Sequence, residues 1–154
     1  MVKKISNNQH GYSIIELVFL SVIVFILASV LIATSSGIRI RERNNTRISD
    51  VKTLQLNLEI FYARNGFYPS LTEMNSPKWT TNNLKQVPSS DLIDPSSKTN
   101  IQLFTSSSTK TNFGYNVSSG NGQTCNNTTV ACGQYLLTAT LEGGSGIFQE
   151  KSLN

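Results

Sequence analysis

An α+β fold is predicted, with one long N-terminal helix packed on a small antiparallel sheet of about three to four strands. Three observations predict it. Residues 12–33 contain no Pro, no Gly and one charge, Glu16. An apolar residue then recurs every three or four positions as far as Tyr62. From Phe113 onward the pattern changes to short alternating runs separated by Gly/Ser/Asn turns. A chain of 154 residues suits one domain plus a tail or anchor. The expected division is a leader at 1–11, an apolar helix at 12–38, its amphipathic continuation at 39–66 and a head at 67–154.

The leader is polar, carries Lys3 and Lys4, and is read as lying outside the fold. A secretory signal has an apolar region of roughly 7–15 residues with its cleavage site after it. Here the apolar run is longer and the processing candidate, Gly11, stands before it. Roughly 20 apolar residues suffice to cross a bilayer. The run is therefore expected to make a single-pass membrane protein. Glu16 is the oddity, since a carboxylate at mid-depth costs roughly 2.5–3.5 kcal/mol on insertion scales and less near an interface. Two readings stand: an anion at headgroup level favoured by the helix dipole, or a carboxylate awaiting a cation.

The helix is expected to continue. Ile48, Val51, Leu54, Leu58, Phe61 and Tyr62 form one apolar stripe, with Arg47, Asp50, Gln55, Glu59 and Arg64 between them. Asn65-Gly66 is the predicted stop. About 50 helical residues would extend roughly 75–80 Å. Between the halves lie Arg39, Arg41, Arg43 and Arg47, of which Arg39, Arg43 and Arg47 share one helical face. They are expected as an interfacial basic cluster that snorkels and contacts neighbouring subunits. A nucleic-acid stripe would need interleaved aromatics, which are missing.

In the head, Asn65 to Ser70 turns the chain. Residues 70–112 read as a long connection with one short helix or strand, in which 105–111 is a mobile surface loop. Strands are predicted at 113–117, 134–141 and 147–149, with Gly143-Gly144-Ser145-Gly146 as the last turn. Cys125 and Cys132 are the only cysteines, unaccompanied by other metal-ligating residues. A pair on a domain following an anchor is most simply a disulfide formed in an oxidising exterior, with two free thiols as the other reading.

Catalytic chemistry finds little support. His10 is the only histidine and falls in the leader, so histidine-based nucleophilic machinery is excluded from a cleaved chain. No P-loop, dinucleotide fingerprint or paired carboxylates appear. Asp91 and Asp94 lack an EF-hand spacing and read as solvated loop carboxylates rather than Ca²⁺ ligands. Asn44, Asn116, Asn126 and Asn127 open Asn-x-Ser/Thr sequons, in a composition where chance explains most of them. The 13 basic and 9 acidic side chains give +4, falling to +2 without Lys3 and Lys4, which does not argue for nucleic acid. No enzyme, metal or cofactor is expected.

Gly11-Tyr12-Ser13-Ile14-Ile15-Glu16-Leu17, between a basic leader and a long apolar helix, resembles the prepilin signature of type IV pilins and pseudopilins. The resemblance extends more loosely to Asn65 to Ser70, to Asp94-Pro95 and to Tyr135-Leu-Leu-Thr-Ala-Thr-Leu-Glu142, and so covers most of the chain. It departs in having Tyr12 where the family usually has Phe, and in lacking a proline before Pro69. The resemblance implies a pilin fold and cleavage between Gly11 and Tyr12 by a prepilin peptidase that also methylates the new N-terminus. It implies that Glu16 pairs with that amine, and that copies assemble with membrane machinery into a homo-oligomeric helical filament at the cell surface. Motility, adhesion or DNA uptake would be the filament's work. A pseudopilin of a secretion or competence system shares the whole signature, and a membrane-anchored surface binding protein is the reading from another class. The arginines after the helix oppose the leader lysines under the positive-inside rule; the resemblance places the leader inside and the head outside.

Overall fold

The computed structural model describes residues 12–154, so Gly11, His10 and the rest of the expected leader lie outside the described residues. The elements run α1 (Ile14–Asn65), α2 (Leu71–Met74), α3 (Pro77–Asn83), a 3-10 helix (Ser89–Leu92), β1 (Phe104–Thr105), β2 (Phe113–Ser118), β3 (Gln134–Thr140) and β4 (Ile147–Lys151). The chain divides into two compact units between Arg39 and Ile40.

The N-terminal unit is helical from Ile14. Its β-branched and aromatic residues have modest helix propensity, but no Gly or Pro interrupts residues 12–33. Ser21 and Ser29 satisfy their hydroxyls locally by donating to the carbonyls of Val18 and Ile26, each at 2.7 Å. Large apolar side chains are exposed around it, from Ile14 at 83% to Phe25 at 80%. The expected membrane crossing must be corrected. Among the described residues, no helix is long and apolar enough to cross a membrane. A single-pass placement is therefore not supported.

In the second unit, the α1 residues from Ile40 onward pack on a sheet of order β1-β2-β3-β4. Val51, Leu54, Leu58 and Phe61 of the stripe are buried in one cluster with Phe104, Phe113, Tyr115, Tyr135, Leu137 and Ala139. Tyr135, Leu137 and Ala139 alternate on one face of β3, as the two-residue period of a strand dictates. Each buried Leu or Phe contributes roughly 1.5–3 kcal/mol. The helix ends where Gly66, at φ +77°, donates its N–H to the Tyr62 carbonyl at 2.7 Å, a left-handed stop that a side chain would strain.

The sheet is mixed rather than antiparallel. β2-β3-β4 are antiparallel, but β1 pairs parallel with β2, Phe104 opposite Phe113. Only two residues long, β1 is held on its other side by a side chain that imitates a strand. Asn75 accepts from the Phe104 N–H at 2.6 Å and donates to its carbonyl at 2.9 Å. The connection 70–112 holds more structure than expected. Ser70 and Glu73 form a reciprocal capping box on α2, while Ser76 caps α3 with Pro77 in its first turn. The stretch 105–111, expected to be mobile, is tied down. Thr109 N–H bonds the Asn112 carbonyl, the Ser108 and Thr140 hydroxyls meet at 2.9 Å, and the Ser108 backbone lies where a Cβ on Gly114 would collide.

Cys125 and Cys132 are disulfide-bonded. The loop they close docks on the turn after α1 and on α2 through Asn127, which donates to the Tyr68 carbonyl and to Glu73 and accepts from the Cys132 N–H. Asn127 sits at φ +60°, a conformation asparagine tolerates better than most residues.

Candidate functional site

The strongest functional feature of the sequence, the start of α1, is the simplest in the structure. Ser13 precedes the helix, and its carbonyl accepts from the N–H groups of Glu16 at 3.0 Å and Leu17 at 3.1 Å. Glu16 thus stands in the first turn, where the partial positive charge of the helix end favours a carboxylate. Tyr12 is 75% exposed and Glu16 is also exposed. Among the described residues no cation pairs with Glu16. Its neighbours Ile15, Leu17, Phe19 and Leu20 are exposed too, so the carboxylate is embedded in an apolar surface that covers itself with nothing.

The basic cluster comes apart, and this corrects the sequence reading. Arg39 and Arg41 are exposed. Arg47 is fully buried, although the helical pattern placed it on the polar face. Its guanidinium forks onto Asp94, with Nε at 2.8 Å from one carboxylate oxygen and Nη2 at 3.0 Å from the other. Nη1 donates to Glu142 at 2.9 Å and to Asn44 at 3.2 Å, and Nη2 also reaches Ser96 and the Lys110 carbonyl. Arg43 grips Glu142 by Nε at 2.8 Å and Nη2 at 2.5 Å. Asn44 completes the clamp, accepting from the Glu142 N–H at 2.9 Å and donating to its carbonyl at 3.1 Å.

This network pins three segments distant in sequence to α1: the Asp94 loop, the 105–112 stretch and the β3–β4 turn. The arginine fork supplies planar geometry that a lysine could not. Hydrogen bonding from Arg43, with help from Arg47 and Ser96, holds the Glu142 carboxyl well below the usual range. Asp94 is thus no solvated loop carboxylate; it is 3% exposed and ion-paired. Nothing in the sequence spacing links Arg47 to partners 47 and 95 residues away. The available signal was the Arg43/Arg47 pair one turn apart, facing acids that flank turns.

Beside the clamp, Asp50 is 6% exposed, makes no side-chain hydrogen bond among the described residues and lines a cleft with Asp91 and Asp94. Burial first, then the carboxylates of Asp91 and Asp94, push its pKa up to about 7. Among the described residues no group of three or more His, Cys, Asp or Glu side chains could hold a metal ion. A second hub forms at Glu59, which accepts from the hydroxyls of Tyr68 at 2.9 Å and Tyr135 at 2.8 Å and from the Leu153 N–H at 3.2 Å. Burial and this acceptor raise the Tyr135 pKa. Asn44 and Asn127, two of the sequon asparagines, are spent on such internal bonds, whereas Asn116 is exposed on β2.

Both polar hubs are structural ties between α1 and the rest of the head. Of the predicted site residues, Tyr12, Glu16, Arg39 and Arg41 remain available to a partner. No protein-family model matches the chain, and no curated protein or solved structure shows significant similarity to it.

Proposed function

We propose that this chain is a structural subunit of a type IV pilin-like filament, with a pilin fold, assembled by bundling the start of α1 with the same helix of further copies. The observation that supports this reading is the apolar surface of residues 14–27, exposed on every side and broken by a single carboxylate. A contiguous exposed apolar surface marks an interaction site. A helix apolar all round is one that functions buried, here among the same helix of further copies.

On this reading a peptidase cleaves after Gly11 and methylates Tyr12, which then carries a free amine one turn from Glu16. In a bundle of low dielectric an unpaired carboxylate is costly, so Glu16 takes the amine of a neighbouring copy or its own. The pair sets the axial register of an incoming subunit more than it adds net stability. Burial of the surrounding Ile, Leu, Val and Phe side chains, roughly 1.5–3 kcal/mol each, drives the association.

The deciding measurement is the N-terminal mass of the protein recovered from cells, alongside the composition of sheared filaments. A chain beginning at Tyr12 with one added methyl, present as the main filament component, is the expected result. Glu16→Ala should abolish filaments while leaving the head's thermal midpoint unchanged. A chain that keeps residues 1–11, or filaments that tolerate Glu16→Ala, would sink the proposal.

A further inference from the structure

The last turns of α1 and the end of α3 meet at a cleft of about 350 Å³, near the lower end of the ~300–1,000 Å³ typical of small-molecule sites. Such sites are mostly apolar, with a few polar groups. This one is lined by five carboxamides, Asn57, Asn65, Asn82, Asn83 and Gln86, and by two cations, Arg64 and Lys85, over a floor of Ile60 and Phe61. No carboxylate lines it.

Three of the carboxamides are partly committed, each keeping its Oδ1 acceptor and one Nδ2–H donor free. Asn57, Asn65 and Asn83 each donate Nδ2 to the carbonyl four residues earlier, that of Thr53, Phe61 and Trp79 respectively. These bonds fix the three side chains and leave their Oδ1 acceptors without a partner among the described residues. Asn57 is only 7% exposed, yet it lines the cleft. Asn82, Gln86, Arg64 and Lys85 make no side-chain hydrogen bond among the described residues and supply donors around those acceptors. The site therefore offers fixed acceptors and free donors within one small concavity.

We propose that this cleft binds a saccharide, with an acidic sugar preferred. A hydroxyl group both donates and accepts, which matches a wall of amide oxygens interleaved with donors. Arg64 and Lys85, with no acid beside them, select for a carboxylate on the ligand. A protein partner would require buried aromatic or aliphatic anchors, and single-stranded nucleic acid would require exposed stacking rings along a basic groove. The cleft has neither, since Phe61 is 7% exposed. This inference concerns the head alone and goes beyond filament assembly.

Trp79, the only tryptophan, lies edge-on to Phe61 at 5.3 Å between ring centroids and reports on the cleft by fluorescence. The full chain, held in a sugar-free zwitterionic detergent, is titrated with tetragalacturonate, with chitotetraose as a neutral sugar and with inorganic sulfate as a bare anion. The expected result is a saturable Trp79 response to tetragalacturonate that exceeds both others. Asn82→Ala and Lys85→Ala, both at exposed positions, should each weaken it roughly tenfold or more without moving the thermal midpoint. Three results would each overturn the proposal: no saturable response to either saccharide up to about 50 mM, a response reproduced by sulfate, or binding unchanged in both variants.

Discussion

The two halves of α1 use similar residues to opposite ends. Leu17, Phe19 and Phe25 are 60%, 68% and 80% exposed, whereas Leu54, Leu58 and Phe61 are buried. Intrinsic hydrophobicity does not separate them. The later half presents one apolar stripe to sheet residues such as Tyr115, Tyr135 and Leu137, so its chain supplies its own partner. The earlier half is apolar on all faces, and no single sheet could cover it. A striped helix can thus be buried by a sheet of its own chain, whereas one apolar on all faces keeps most of its surface beyond the reach of any single sheet.

Arg47 breaks that comparison most sharply, because it is charged and yet as fully buried as Val51, Leu54 and Leu58. Arg47→Ala strands Asp94 without its cation and should cost about 3–5 kcal/mol in urea unfolding of the head. Arg39→Ala and Arg41→Ala should stay within about 0.5 kcal/mol of the parent. A double variant, Arg47→Met with Asp94→Leu, should recover much of the loss, since an apolar pair has no charge to desolvate. Loss equal to the sum of the single variants would show that the clamp acts otherwise.

A matched pair of leucines sharpens the contrast next. Leu54→Ala opens a cavity in the core and should destabilise the head by about 2–5 kcal/mol. Leu20→Ala, half-exposed in the first half, should leave that unfolding unchanged and instead lower the self-association measured by sedimentation. Equal effects on unfolding would remove the distinction between the halves.

Asp50 tests burial of charge without a partner. Its folded pKa of about 7 lies above the ordinary 3.8, so the folded state holds a proton that the unfolded state releases. That contribution is fully favourable below about pH 4 and declines as pH rises to 7. Asp50→Asn cannot ionise and should therefore gain on the parent across that window. After allowance for solvent screening the gain is on the order of 1–2 kcal/mol. Urea midpoints at acid and at mildly alkaline pH measure it; a constant difference would rule out the titration. A smaller loss belongs to Ser70→Ala, which removes the cap of α2 and should cost about 1 kcal/mol by thermal unfolding.

Local patterns carried much of the architecture. The stripe from Val51 to Phe61, the stop at Gly66 and the positions of β2, β3 and β4 follow from period, turn residues and helix caps, all expressed within a few residues. The capping signals Ser70-x-x-Glu73 and Ser76-Pro77 were equally legible and mark two short helices where one short helix or strand is expected across 70–112. β1 was not legible. A two-residue strand has no period of its own, and it exists because Asn75 and β2 supply its hydrogen bonds from either side.

By itself the sequence determined where the helix begins and ends, which of its halves is striped, and that Glu16 stands alone in an apolar surface. These depend on side-chain order along one element. Tertiary structure alone decided that Arg47 and Asp94 are a buried pair rather than two solvated charges, and that Asp50 shares their surroundings unpaired. A charge can be buried only where opposite charge and hydrogen-bond donors converge, and here they arrive from segments 47 and 95 residues away, beyond the reach of any local pattern.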